Sequence, residues 1–164
     1  MFSKDSPEPA MITLVRTASS HQDFQALVRL LDQELAIRDG ADHTFYAQFN
    51  KIDQIRHVIV AYAENEPVGC GAFKPFADGA VEIKRMFVRP EQRGQRIAEQ
   101  ILAALETWAG EVGAVSCVLE TGQKQPEAIR LYQRSGYERI PNYGQYAGLD
   151  NSICMQKTFA EQSA

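Results

Sequence analysis

Val81 to Leu102 reads VEIKRMFVRPEQRGQRIAEQIL, and its reading decides the fold. An apolar strand pattern carrying three charges runs into a Pro-containing turn, and a helix pattern opens after it. Strict alternation puts Glu82, Lys84, Met86 and Val88 on one strand face, and Val81, Ile83, Arg85 and Phe87 on the other. A strand covered on both faces should not hold Glu82, Lys84 and Arg85, because a buried unpaired charge costs several kcal/mol. The pattern therefore predicts a water- or ligand-filled cleft along the strand. A strand end outside the core with a local Glu–Lys pair is the other reading. Beyond the strand, Arg93, Gly94, Gln95 and Arg96 precede the helix opening at Ile97 and Ala98. A helix start offers unpaired N–H groups and a positive dipole end, both suited to phosphate. Gly94 permits close backbone approach, and Arg93 and Arg96 supply cationic donors. The turn is neither a Walker A loop nor GxGxxG.

Working outward, the spacing predicts a first strand over Met11–Arg16. A helix follows, with a capping box at Ser20–Asp23 and apolar positions Phe24, Leu27, Val28, Leu31 and Leu35, ending near Gly40. Phe45, Tyr46 and Phe49 suggest a short second helix or a flap. His57–Ala63, Val68–Phe73 and Ala80–Val88 read as an antiparallel meander. Ile97, Ile101, Leu105, Trp108 and Val112 share one helical face. Val115–Glu120 then reads as a strand reached by a parallel crossover. Pro126 suits the first position of a short helix ending before Gly136. Brief strands follow at Tyr137–Ile140 and Ser152–Phe159, around the Gly- and Tyr-rich loop Pro141–Leu149. His21 and His43 read as ordinary solvated residues. The order predicts one α/β domain over 11–159 with a mixed sheet, between tails at 1–10 and 160–164.

The 164 residues allow one sizeable core. Net charge is −4 and the pI about 5.4, which argues against a nucleic-acid partner. No apolar run reaches the roughly 20 residues of a membrane helix, and the polar N-terminus lacks a secretory core. Cys70, Cys117 and Cys154 are an odd number, widely spaced in apolar runs. They read as buried reduced thiols in a cytoplasmic protein, with neither a disulfide framework nor a metal site.

Val81–Leu102 resembles motif A of the GNAT superfamily of acyl-CoA-dependent N-acetyltransferases. That motif is an apolar strand ending in V-x-P, then R/Q-x-x-G-x-G/A at a helix start. Arg93–Ala98 matches at its first and last positions and departs at the fourth, where Arg96 stands for the usual Gly. A second stretch, Gln125 to Tyr137 (QPEAIRLYQRSGY), is similar to the family's N-x-x-A-x-x-L-Y-x-x-x-G-F/Y, with Gln125 in place of Asn. The resemblance covers about Val58 to Lys157. It implies a mostly antiparallel sheet of six to seven strands, flanked by about four helices, with two central parallel strands splayed apart.

The resemblance also implies acetyl-CoA as cosubstrate. Its pantetheine arm would lie along Met86, Phe87 and Val88. Its pyrophosphate would lie on the amides of Arg93, Gly94, Gln95, Arg96, Ile97 and Ala98, with Gln125 on the same side. Tyr132 matches the tyrosine that protonates the leaving thiolate. A backbone N–H near Phe87 could polarise the thioester carbonyl. A carboxylate must take the proton of the attacking amine. Glu82 is the first candidate, with pairing to Lys84 or Arg85 as its structural role, and Glu120 is the second. Lys84, Arg85 and Arg130 could attract an acceptor's carboxylate, and Tyr143 and Tyr146 could rim the acceptor site. The expected function is acetyl transfer to a primary amine of an amino-acid-like small molecule, by a monomer or homodimer. The alternatives are a protein lysine or N-terminus as acceptor, a non-catalytic acyl-CoA-binding module, and a Rossmann-type nucleotide domain, which the meander disfavours.

Overall fold

A computed structural model of the chain describes residues 11–40 and 54–159. Phe45, Tyr46, Phe49 and His43 lie outside them. The described chain runs β1 (Ile12–Thr17), α1 (Gln22–Asp39), β2 (His57–Ala63), β3 (Glu66–Pro75) and β4 (Ala80–Val88). It continues through a 3₁₀ turn at Pro90–Gln92 to α2 (Ile97–Glu111), β5 (Ser116–Gly122) and α3 (Pro126–Arg134). The chain then forms β6 (Glu138–Ile140), a 3₁₀ turn at Gly144–Tyr146 and β7 (Ser152–Thr158). The seven strands form one sheet in the order β1-β2-β3-β4-β5-β7-β6. Among the described residues only β4 and β5 pair in parallel, joined by the crossover through α2. Three α-helices are seen among the described residues, where about four were expected.

Each face of the sheet has its own core. Phe24, Leu27 and Val28 of α1 pack on Val58, Val60, Cys70, Ala72 and Phe87. Ile97, Ile101, Leu102, Leu105 and Ala109 of α2 pack on Ile59, Ala61, Val81, Ile83, Val88 and Leu119. This is why β2 is apolar at nearly every position: a strand covered on both faces has no polar side. Truncating Leu105, which is fully buried, to Ala should cost about 2–5 kcal/mol. At the start of α1 the cap is His21 rather than Ser20. Its Nδ1 accepts the Asp23 N–H at 3.2 Å. Gly40 closes the helix at φ 56°.

β4 does not keep the alternation that its sequence predicts. Cys70 pairs with Phe87 and Ala72 with Lys84, so Arg85 and Met86 together face the single residue Gly71. This is a β-bulge, with Arg85 in the left-handed region at φ 62°. The extra residue reverses the side-chain phase. Met86 and Val88 join Val81 and Ile83 beneath α2, while Arg85 and Phe87 turn to the α1 side with Asp32 and Phe24. The expected grouping of Met86 and Val88 with Glu82 and Lys84 is thereby corrected. Met86 lies over Gly71, where an added Cβ would come within 2.5 Å of its sulfur. The Cys70 thiol donates to the Arg85 carbonyl at 3.3 Å and ties down the bulge. No helix among the described residues is long and apolar enough to cross a membrane.

Candidate active site

β4 and β5 pair only from Ala80↔Ser116 to Glu82↔Val118. Beyond that point β5 stays with β7 along its whole length to Gly122↔Ser152, while β4 stays with β3 through the bulge to Val88↔Gly69. The two parallel strands therefore part. The gap is a cleft of about 120 Å³ whose walls include Ile83–Met86 of β4, Glu120–Gly122 of β5, Gln125 just before α3 and Tyr132 of α3. Leu31 and Leu35 of α1 close its other side. From Ile83 onward, β4 has no strand partner on its β5 edge among the described residues. Backbone groups on that edge are open to a ligand, as strand edges are.

The three charges of β4 have different fates. Glu82 is buried at the fork but is not part of the cleft wall. Its Oε2 accepts the Tyr143 hydroxyl at 2.7 Å, and Lys74 and Lys84 each stand 4.0 Å from Oε1. The local pairing weighed for Glu82 is thus the arrangement observed. Lys84 lines the cleft, with its Nζ donating to Tyr146 Oη at 3.4 Å. Burial lowers its pKa, and the nearby Glu82 opposes that shift. Arg85 also lines the cleft. Its Nη1 donates to Asp32 Oδ1 at 2.9 Å, whereas Nη2 is buried without a partner among the described residues. An unsatisfied buried donor costs about 1–3 kcal/mol.

Glu120 and Tyr132 reach the cleft from β5 and α3. Burial raises the Tyr132 pKa, and the Glu120 carboxylate raises it further, so the phenol holds its proton at neutral pH. Tyr132 also packs edge-on to Tyr137 at 5.7 Å. Tyr143 and Tyr146 are not on the cleft wall. Tyr146 is buried with Cys154 in a small cluster that Tyr143 joins. Their hydroxyls meet Glu82 and Lys84 from behind. Arg130 is exposed on α3 and is not part of the wall.

The turn before α2 contains two left-handed residues, Gly94 at φ 83° and Arg96 at φ 63°. Such residues curl successive amides toward one anion, beside the unpaired N–H groups of a helix start. Arg96 is the N-cap of α2 and its side chain makes no cap hydrogen bond. A left-handed conformation costs a non-glycine residue roughly 1–2 kcal/mol, which is the physical reason glycine suits this position. The Arg93 side chain is otherwise engaged. Nε donates to Val88 O at 2.9 Å and a terminal nitrogen to Glu34 at 2.7 Å, bracing the turn against α1. Gln95 is exposed, Ile97 is buried and Ala98 is half-buried. Phe87 is buried in the α1-side core. Gln125 is the N-cap of α3 and faces the cleft beside Gly122.

Sequence reasoning missed Asp32, Leu31 and Leu35. The two leucines carry only the apolar period of α1, and nothing local marks Asp32 as the partner of a residue 53 positions away. Among the described residues, no three His, Cys, Asp or Glu side chains gather as a metal site would.

The acetyltransferase (GNAT) family model matches residues 24–137. An "IAA acetyltransferase" of Azospirillum brasilense is 36% identical over 149 residues, covering 89% of this chain and 97% of that protein. An "aminoalkylphosphonate N-acetyltransferase" of Salmonella typhimurium is 33% identical, covering 75% of this chain and 81% of that one. A crystal structure from Klebsiella pneumoniae, assigned to the acyl-CoA N-acyltransferases, superposes with a TM-score of 0.77 at 30% identity. It covers 92% of this chain and 99% of that one. With the forked parallel strands, the left-handed turn before α2 and these matches together, the chain belongs to the GNAT family of acetyltransferases.

Proposed function

We propose that the protein transfers an acetyl group from acetyl-CoA to the primary amine of a small, amino-acid-like molecule. The observation that carries this reading is the fork between β4 and β5, which puts Glu120 and Tyr132 on the walls of one cleft. At one end of it, the open edge of β4 at Met86, Phe87 and Val88 suits the amide-bearing pantetheine arm. The Gly94–Ala98 turn suits the pyrophosphate. Structural neighbours described in complex with coenzyme A and with acetyl coenzyme A support the carrier.

Glu120 takes a proton from the incoming ammonium, directly or through water, leaving a nucleophilic nitrogen. That nitrogen attacks the thioester carbon as the C–S bond breaks. Tyr132 gives its proton to the departing sulfur and regains one as the new amide nitrogen sheds its second hydrogen, so CoA leaves as the thiol and the acceptor as an amide, with the net proton on Glu120. Placing both partners in one cleft removes the need for a covalent enzyme intermediate. Glu120 lies on the cleft wall and Glu82 does not, so Glu120 suits the base role better. Glu82, Tyr143 and Tyr146 act instead by positioning Lys84. The small acceptor is supported by the leucines of α1 that close the cleft and by the relative named for aminoalkylphosphonates. Three buried free thiols suit a reducing cytoplasm.

The test is CoA release from acetyl-CoA across a panel of small amines, with a lysine-rich peptide and a protein N-terminus as controls. Turnover on small amines that Glu120→Gln and Tyr132→Phe each reduce supports the reading. Turnover on the peptide alone overturns the small acceptor. Tight acetyl-CoA binding with no turnover on anything overturns the enzyme in favour of a binding module.

A further inference from the structure

Arg85 is more than nine-tenths buried, yet its Nη2 has no acceptor among the described residues. Its ion-pair partner among the described residues, Asp32, binds through Nη1 and has a half-exposed side chain. The bulge gives this side chain its direction. With Arg85 left-handed and Met86 taken to the opposite face, the side chain turns toward Asp32 of α1, and Arg85 is among the residues that wall the cleft, its Nη2 buried beside it. Leu31 and Leu35 flank Asp32 along α1 and line the same wall, and neither side chain can accept a hydrogen bond. Lys84, next along β4, adds positive charge, but its Nζ is already held between Tyr146 and Glu82.

We infer that Arg85 Nη2 binds an oxyanion carried by the acceptor itself, so the substrates are small primary amines bearing a carboxylate or a phosphonate. This rests on the small-amine reading above and narrows it. The acceptor then spans the cleft, its amine toward Glu120 on β5 and its anion toward Arg85 and α1. A charge-assisted pair at a desolvated guanidinium selects strongly, because a neutral analogue leaves the donor unmatched.

The experiment measures kcat/KM for acetyl transfer to matched amines of similar length. These are 3-aminopropanoate and 2-aminoethylphosphonate against propylamine and ethanolamine, all at constant ionic strength. The anionic amines should exceed the neutral ones by about tenfold or more. Arg85→Gln should bring that ratio close to unity, chiefly by raising KM for the anionic amines. Because Arg85 is buried and its loss could unfold the chain, Asp32→Asn is the second variant. Removing the negative charge that shares the guanidinium through Nη1 should lower KM several-fold for the anionic amines and leave the neutral ones unchanged. A guanidinium that only braces α1 would shift both classes alike. Equal turnover of anionic and neutral amines, or an unchanged ratio in Asp32→Asn, overturns the anion site while small-amine acetylation stands. No turnover on any small amine, with acetylation of a protein substrate, overturns both. Preference for the phosphonate or for the carboxylate supports the site and names its oxyanion.

Discussion

Tyr143 donates its phenolic hydrogen to Glu82 Oε2 at 2.7 Å, joining the loop before β7 to the last residue of β4 that pairs with β5. Glu82 is thereby held as a buried, paired carboxylate. Tyr143→Phe removes this donor and leaves two ammonium groups at 4.0 Å as the remaining charged partners. The expected loss is about 1–3 kcal/mol, or several degrees in Tm for a chain of this size. Thermal unfolding followed by circular dichroism measures it. A wild-type Tm would show that the bond contributes nothing to stability.

Glu120 and Tyr132 separate in a pH profile. Glu120→Gln should lower kcat/KM about 100-fold at pH 7. The deficit should shrink at pH 9, where more of the acceptor amine is already neutral. Tyr132→Phe should lower kcat with little change in the KM for acetyl-CoA. The Tyr132 pKa is raised by burial and by Glu120. Its proton therefore stays in place up to and beyond the ordinary tyrosine value of about 10, and no alkaline limb below that pH should disappear in the Phe variant.

Gly69 of β3 pairs with Val88 of β4. A Cβ there would stand 2.9 Å from the Phe87 carbonyl oxygen and 3.0 Å from Ile101 Cδ1. Backbone cannot rotate out of the way as a side-chain tip can. Gly69→Ala should cost about 1–3 kcal/mol and raise the KM for acetyl-CoA by displacing Phe87. Steady-state kinetics beside a urea melt would measure both, and an unchanged KM would show that Phe87 does not meet the carrier.

Arg96 holds a positive φ that glycine adopts freely. Arg96→Gly should relieve the strain while loosening the unfolded chain, so stability should change by no more than about 1 kcal/mol. If the exposed guanidinium assists phosphate binding, the same variant raises the acetyl-CoA KM several-fold, and added salt narrows the difference. Titrating acetyl-CoA at two ionic strengths measures this.

His57 stacks on Phe73 at 4.5 Å and meets Trp108 edge-on at 4.8 Å. Burial chiefly, with Arg56 second, lowers its pKa below 6.5. The unfolded chain therefore binds this proton first as pH falls. The stability it contributes is complete above about pH 6.5 and declines as pH drops through that value toward the lower folded pKa. His57→Gln should flatten the slope of stability against pH between 7 and 5. An identical slope in the variant would assign the pH dependence to other groups.

Much of the fold was legible because local rules decide it. Apolar spacing marked α2 at Ile97, Ile101 and Leu105 and the meander of β2–β4, and Pro126 marked the start of α3. The start of α1 was misread by one residue, since His21 supplies the cap that Ser20–Asp23 suggested for a serine. The face assignment in β4 was wrong beyond Lys84. A bulge is a mismatch between two strands, and alternation along one strand cannot reveal it.

The sequence by itself determined the elements, their order and the family, because periodicity, capping and the two motifs are properties of neighbouring residues. Only the tertiary structure decided where the charges of Val81–Leu102 point. The bulge opposite Gly71 sends Arg85 toward Asp32 on α1 and Met86 beneath α2. Tyr143 takes Glu82 from behind, and the parting of β4 from β5 leaves Glu120 and Tyr132 on the cleft walls. The physical reason is that pairing, burial and electrostatic satisfaction join groups far apart in the chain, and no window of sequence holds both partners.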